Sequence, residues 1–332
     1  VENSDRKIMF VFPGQGSQYP GMGSDLYAEY DIARDIYREA SEVLGYDIAE
    51  MSFQDPRDQL NLTRYTQPAL LTHSIASLEV FRNLTGNGVQ PVLAAGHSLG
   101  EYSALVAAGA LSFEDALRLV AKRGELMGIH GEGEMTAFPM ELEAIRPIAE
   151  RYHCAIAGCN LPMQTVIGGR GEDLERVERE VTENFPRKRP VRLKTEGAFH
   201  TYYMVKAARE YRAVLAEADF ELSDVQVLSN FTGGFHAPEP ESIRARLFFQ
   251  LFHPVMWYEN LKSAFAEGPD LIFEFGGGIG PAEVPAGKRP NLEGMIKKAM
   301  RSWEGSAGYR SAINLETMQQ MVNFALHGEA AQ

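Results

Sequence analysis

The sequence predicts an α/β fold: a large three-layer α/β domain with a small ferredoxin-like domain inserted in it. Three observations carry this. Short apolar runs at Ile8 to Phe12, Val92 to Ala95, Val225 to Ser229 and Leu271 to Phe275 alternate with helical periodicity, the order of buried strands covered by helices. Each run empties into a glycine- or asparagine-rich loop. Residues 131–196 carry a strand, helix, strand, strand, helix, strand pattern of their own. The expected division is therefore 1–130 with 197–332 for the large domain and 131–196 for the small one.

Ile8 to Phe12 stops at Pro13-Gly14-Gln15-Gly16-Ser17-Gln18, and loops at the carboxyl ends of such strands carry sites. The Walker pattern, with Lys and Ser/Thr after the last glycine, is missing, so nucleotide binding is set aside. Helical periodicity covers Leu26 to Leu44 and resumes after Pro68, where Leu71, Ile75, Leu78 and Phe81 share one face. Gly86-Asn87-Gly88 breaks the chain before the strand Val92 to Ala95. Gly96-His97-Ser98-Leu99-Gly100 then forms the turn into a helix of small residues, Leu99 to Gly109. This is a nucleophile elbow, and it makes the large domain α/β-hydrolase-like. Its glycines permit a sharp turn, which lifts the Ser98 hydroxyl off the sheet with the Leu99 N–H facing the same space.

Ser112 and Asp115 read as a capping box for the next helix. Ala116, Leu119, Val120, Arg123 and Met127 fall on one face of it, so Arg123 interrupts an apolar stripe. An inward arginine is costly unless an anion meets it, in a salt bridge or a ligand. The small domain follows, with strands at Met135 to Pro139, Cys154 to Gly158, Gln164 to Ile167 and Val191 to Lys194, helices at Glu141 to Tyr152 and Glu172 to Asn184, and a hairpin turn begun by Asn160-Leu161-Pro162. The chain re-enters the large domain at Gly197-Ala198-Phe199-His200. A helix through Tyr211 and Leu215, the strand Val225 to Ser229 and a helix through Ile243 and Leu247 lead to Gln250. After Leu271 to Phe275, residues 276–290 read as loop, Leu292 to Met300 as a short helix, and a Gly-Ser-Ala-Gly linker joins a terminal helix at Asn314 to Leu326.

The 332 residues are 45% hydrophobic and 23% charged, ordinary for a soluble globular chain, and the net charge of −13 argues against a nucleic-acid partner. Cys154 and Cys159 give neither a disulfide framework nor a four-ligand metal site. Apolar stretches fall short of a membrane span, and Val1 to Asp5 carries no signal-peptide core. A cytoplasmic protein with core thiols is expected.

Serine needs a base, and histidine is the usual one. Of eight histidines, His73 lies within a helix, His130 and His153 beside the small domain, His236 in a polar turn and His327 in the tail, while His97 cannot easily fold back onto Ser98. His200 and His253 remain, and His200, on a turn after a strand, is the better placed.

Six motifs, G-Q-G-S-Q at 14–18, G-H-S-L-G-E-Y at 96–102, R-G-x-x-M at 123–127, N-x-P-x-Q at 160–164, G-A-F-H at 197–200 and Q-L-x-x-P-V-x-W at 250–257, closely resemble in order and spacing those of malonyl-CoA:acyl carrier protein transacylases. The likeness spans about residues 7–303 and extends to polyketide synthase acyltransferases. A free-standing chain with A-F-H resembles a trans-acting polyketide acyltransferase. The resemblance implies that Ser98 attacks the malonyl thioester with His200 as base and Gln250 orienting it through a neutral oxygen. It also implies that the backbone N–H groups of Gln15 and Leu99 form an oxyanion hole and that Arg123 pairs with the malonyl carboxylate. Phe199 is implied to exclude an α-methyl branch, with Met127 and Asn160 also at the substrate. No cofactor or metal is implied, and a monomer is expected. The implied donor is malonyl-CoA and the implied acceptor an acyl carrier protein; since such carriers are acidic and this chain is too, docking is expected on Arg187, Lys188 and Arg189 or on Lys297 and Lys298.

The alternative within acyl chemistry is a hydrolase that strips acyl groups from carrier proteins; such relatives tend to lack the arginine. An esterase of the α/β-hydrolase type wants an H-G-G oxyanion loop, which is missing, and a binding subunit needs no nucleophile. Two features depart from the family pattern: the segment 276–290 is long, and Thr201 stands where serine is common.

Overall fold

The computed structural model describes residues 6–303 and 305–328. The polar start Val1 to Asp5, from which no leader core is read, lies outside the described residues. The strands are β1 (Ile8–Phe12), β2 (Leu93–Gly96), β3 (Glu134–Phe138), β4 (Ala155–Leu161), β5 (Gln164–Gly169), β6 (Val191–Leu193), β7 (Gln226–Ser229), β8 (Gly234–Phe235), β9 (Leu271–Phe275) and β10 (Gly308–Ala312). The helices are α1 (Ser24–Glu29), α2 (Asp31–Leu44), α3 (Ile48–Phe53), α4 (Thr63–Leu84), α5 (Gly100–Ala107), α6 (Phe113–Ile129) and α7 (Leu142–Arg151). They continue with α8 (Gly171–Asn184), α9 (Val205–Glu217), α10 (Pro240–Gln250), α11 (Trp257–Ala266), α12 (Glu293–Ser302) and α13 (Leu315–His327).

Six strands form one sheet in the order β10-β9-β1-β2-β7-β8, parallel except for the β7–β8 pair. Strand β1 shows why its run is apolar throughout. Phe10 and Phe12 enter one core with Leu71, Ile75 and Phe81 of α4, and Met9 and Val11 enter the other with Trp257 and Leu261 of α11. Both faces are covered, so alternation disappears. In the first core Phe10 meets Phe275 edge-on at 4.9 Å and Phe81 meets Phe273 at 5.7 Å, pairs that contribute about 0.5–1.5 kcal/mol beyond their buried area.

The second sheet has the order β4-β5-β3-β6, antiparallel throughout, with all its strands inside residues 131–196. With α7 and α8 packed on it, this is the ferredoxin-like arrangement. It is bonded to the rest of the chain through β4: Cys159 N–H donates to the Val255 carbonyl at 2.8 Å and Val255 N–H to the Ala157 carbonyl at 3.0 Å.

Several elements differ from expectation. The helical run Leu26 to Leu44 is split at Tyr30, whose extended backbone ends α1 and starts α2. Helix α4 begins at Thr63, five residues before Pro68, because the Glu196 carboxylate accepts the Thr63 N–H from far along the chain. The Gly-Ser-Ala-Gly linker runs into β10, an edge strand that starts at Gly308 and extends β9 in parallel. Short α3 and β8 carried too little pattern to be expected, and α11, which buries Trp257, Leu261 and Ala264 on one face, is a further helix beyond those expected. The long segment 276–290 is tied by an Ile279–Arg289 bridge and a 3-10 turn at Pro285–Gly287. Among the described residues, no helix is long and apolar enough to cross a membrane.

Candidate active site

Strand register decides which loops meet. Phe12 pairs with Gly96, Val11 with Glu274 and Ala94 with Val227, so the loops after β1, β2, β7 and β9 leave the sheet at one edge. The elbow rises there. Ser98 has φ 52°, the strained left-handed backbone of a nucleophile turn. Only glycines fit beside it: a Cβ on Gly96 would stand 1.8 Å from the Gly100 carbonyl carbon, and one on Gly100 would stand 2.2 Å from the Phe12 carbonyl oxygen.

His200 reaches the elbow from the turn that closes the small sheet. Its Nε2 lies 2.7 Å from Ser98 Oγ, and its Nδ1 lies 2.8 Å from the backbone carbonyl of Gln250. A carbonyl only accepts, so Nδ1 carries the proton and Nε2 is left free to take one from the serine. Burial, with help from the Arg123 charge, pushes the His200 pKa down to about 3. The imidazole is therefore neutral, with Nε2 open to accept a proton.

Arg123, from the apolar stripe of α6, is 1% exposed. Its Nη1 donates to Gln67 Oε1 at 2.9 Å, and its Nη2 donates to Gln250 Oε1 at 2.9 Å and to Ser98 Oγ at 3.2 Å. No carboxylate of the chain is among these partners, and Arg123 Nε is buried without one. Both Nη2 hydrogens are thus engaged, and a planar guanidinium without a carboxylate partner suits an anion.

These groups open into a cleft of about 890 Å³ between the elbow and the small sheet. Gln15 and Leu99 line it, as do Met127, Phe199 and Asn160. Gln15 Nε2 donates to Thr63 Oγ1 at 3.2 Å, which anchors its loop against α4. Asn160 Oδ1 lies 2.8 Å from His97 Nε2, so His97 is turned away from Ser98 Oγ. His253 is tied to the Phe249 carbonyl and stacked among phenylalanines. All nine residues expected at the site contribute to this one region. The cations expected to meet the carrier protein are less uniform: Arg187, Arg189 and Lys298 are exposed, Lys188 is half-buried, and Lys297 is paired with Glu293.

The structure adds Gln67, Glu101, Asn230 and His236, which pattern reading did not single out. Glu101 left a faint signal, a lone charge in the small-residue helix after the elbow. His236, expected in a polar turn, is buried, with its Nε2 2.7 Å from Glu101 Oε1.

A family model described as "Acyl transferase domain" matches residues 9–275. The malonyl CoA-acyl carrier protein transacylase of Bacillus subtilis is 40% identical over 304 residues, covering 89% of this chain and 91% of that one. A polyketide biosynthesis malonyl CoA-acyl carrier protein transacylase of Bacillus velezensis is 37% identical over 311 residues, covering 90% and 99%. Among solved structures, a malonyl-transacylase in complex with a type II polyketide acyl carrier protein superposes with a TM-score of 0.84 at 32% identity, covering 96% of this chain and 99% of that one.

Proposed function

The chain belongs to the malonyl-CoA:acyl carrier protein transacylase family, and from that premise we propose how its own residues carry the reaction. The enzyme moves a malonyl group from malonyl-CoA to an acyl carrier protein for fatty-acid or polyketide synthesis. Ser98 Oγ attacks the thioester carbonyl while His200 Nε2 takes its proton. The Gln250 carbonyl holds the imidazolium that forms, and the N–H groups of Gln15 and Leu99 face the developing oxyanion. The C–S bond breaks, the CoA sulfur takes the proton from His200, and malonyl-Ser98 remains. A phosphopantetheine thiol repeats the steps in reverse.

No carboxylate backs the histidine. A thioester is activated enough that a neutral acceptor suffices, where an amide would demand more. Arg123 selects the acid: malonate pairs with its guanidinium, whereas an acetyl group leaves that desolvated charge unpaired. Phe199 narrows the space beside the α-carbon. The free, buried thiols of Cys154 and Cys159 fit a reducing compartment, and we place the enzyme in the cytoplasm as a monomer that docks its acidic carrier on Arg187, Lys188 and Arg189. Its motif resembles the trans-acting polyketide form, although both pathways' enzymes are similar to it at comparable identity.

The observation that carries this reading is the 2.7 Å Ser98–His200 contact beside a buried arginine with no carboxylate partner. The test is intact-protein mass spectrometry after mixing with malonyl-CoA. The native enzyme is expected to gain one malonyl group and Ser98→Ala none; an adduct on Ser98→Ala would refute the assignment.

A further inference from the structure

Behind the nucleophile lies a second buried polar group that the reaction steps do not use. Glu101 sits in the first turn of α5, three residues past Ser98, and is 0% exposed. Its Oε1 receives His236 Nε2–H at 2.7 Å. Its Oε2 receives the Asn230 N–H at 2.9 Å, Asn230 Nδ2 at 2.5 Å and Gln250 Nε2 at 2.8 Å. Burial alone would raise this carboxyl, but its bonds to His236, Asn230 and Gln250 hold it below the ordinary carboxylate range. The carboxylate is thus ionised and saturated with donors.

Two arms run from it. Asn230 continues to the elbow, donating Nδ2–H to the Gly96 carbonyl at 2.7 Å and accepting the Ser98 N–H at 3.2 Å. Gln250 continues to the arginine. Its Nε2 donates to Glu101 and, at 3.0 Å, to the Ser98 carbonyl, while its Oε1 accepts Arg123 Nη2. An amide has one acceptor end. With two acceptors holding Nε2, Oε1 must face the guanidinium; turned over, the amide would set donor against donor. Gln250 therefore has two separable duties, its backbone carbonyl on His200 and its side chain on Arg123.

We infer that Glu101, paired with His236, is a positioning residue for acid selection: it fixes the amide of Gln250, which in turn fixes the guanidinium of Arg123 beside Ser98. This rests on the reading of Arg123 as the partner of the malonyl carboxylate. The elbow arm serves every acyl group alike, whereas the arginine arm serves only the carboxylated ones. A loss of general packing would slow all donors equally; loss of this positioning narrows the preference for malonyl.

The test is the ratio of kcat/KM for acyl-enzyme formation from malonyl-CoA to that from acetyl-CoA, on variants checked for folding by circular dichroism and thermal melting. Glu101→Ala is expected to narrow the ratio by about tenfold, the size of one charged hydrogen bond. Glu101→Gln is expected to restore most of it, since its carbonyl can hold Asn230 and Gln250 while its NH2 faces His236, whose Nδ1 is without a partner and can take the proton. Gln250→Met keeps the carbonyl on His200, removes the amide and is expected to narrow the ratio to a similar extent, with Glu101→Ala adding little on top. If Glu101→Ala fails to fold, Gln250→Met and Glu101→Gln decide. A Gln250→Met enzyme with the native ratio, or a Glu101→Ala enzyme slowed equally toward both donors, would overturn the inference. Arg123→Ala separates the two levels. If it leaves the ratio intact, the reading of Arg123 itself falls; if it collapses the ratio while Glu101→Ala does not, only the present inference falls.

Discussion

The base we propose, His200, must be neutral when the thioester arrives, and the two largest forces on it act in the same direction. Burial comes first and the Arg123 charge second, together holding the imidazole pKa near 3. The protonated, inactive form then accumulates only well below neutrality, and acyl-enzyme formation is expected to lack an acid limb near the ordinary histidine value. Arg123→Ala removes one of the two forces, so the His200 pKa rises and the acid limb moves to higher pH. Acylation by acetyl-CoA, followed from acid to neutral pH, is the measurement, because that donor has no carboxylate for the arginine to hold. A limb that stays put or moves lower would mean that the two residues are not electrostatically coupled. Ser98, His200 and Arg123 were legible in the sequence because each is conspicuous locally: a serine between glycines, a histidine on a turn, a cation on an apolar stripe. Gln67, Asn230 and His236 carry no such local mark, since each matters only through a neighbour remote in sequence.

At the scale of elements, the strand-turn-helix of β2 and α5 is the most constrained part of the molecule. A methyl on Gly96 would meet the Gly100 backbone at 1.8 Å, which no side-chain rotation relieves. Gly96→Ala is expected to cost about 1–3 kcal/mol or more of stability. Gly294, in α12, has open space around it, and Gly294→Ala is expected to stabilise by about 0.5–1 kcal/mol through helix propensity. Thermal melts of the two variants should shift in opposite directions; a tolerated Gly96→Ala would contradict the close approach. Elements with a strong pattern, the continuous apolar run of β1 and the helical periodicity of α4 and α6, were readable from the sequence. Strand β10 was not, because a half-exposed edge strand of five residues at a Gly-Ser-Ala-Gly segment gains its partner only from β9. The true start of α4 was hidden for the same reason, its first N–H being satisfied by Glu196.

At the scale of the molecule, charge governs the encounter. A chain of net charge −13 repels an acidic carrier protein except where cations gather, and the run Arg187-Lys188-Arg189, exposed at both arginines, is the densest such place. Charge reversal at Arg187 and Arg189 is expected to raise the KM for the carrier protein without changing acylation by malonyl-CoA. Raising the salt from low to physiological concentration is expected to slow transfer in the native enzyme, as screening of exposed charges requires. Transfer indifferent to both would move the docking site elsewhere.

Fold class, the elbow with Ser98 and the inward Arg123 were encoded in local pattern, because a buried strand, a sharp turn and a misplaced cation are each written within a few residues, whereas the proposed roles of Gln15 and Gln250 came only with the family resemblance. Which groups touch was decided by tertiary structure alone. Parallel register brought the ends of β1, β2, β7 and β9 to one edge, the small sheet delivered His200 from about a hundred residues away, and the fold set a backbone carbonyl where a carboxylate stands in other serine enzymes. The tie from His236 through Glu101 and Gln250 to Arg123 belongs wholly to that second level. Its hydrogen bonds join residues up to 149 positions apart, a distance over which sequence pattern carries no information about contact.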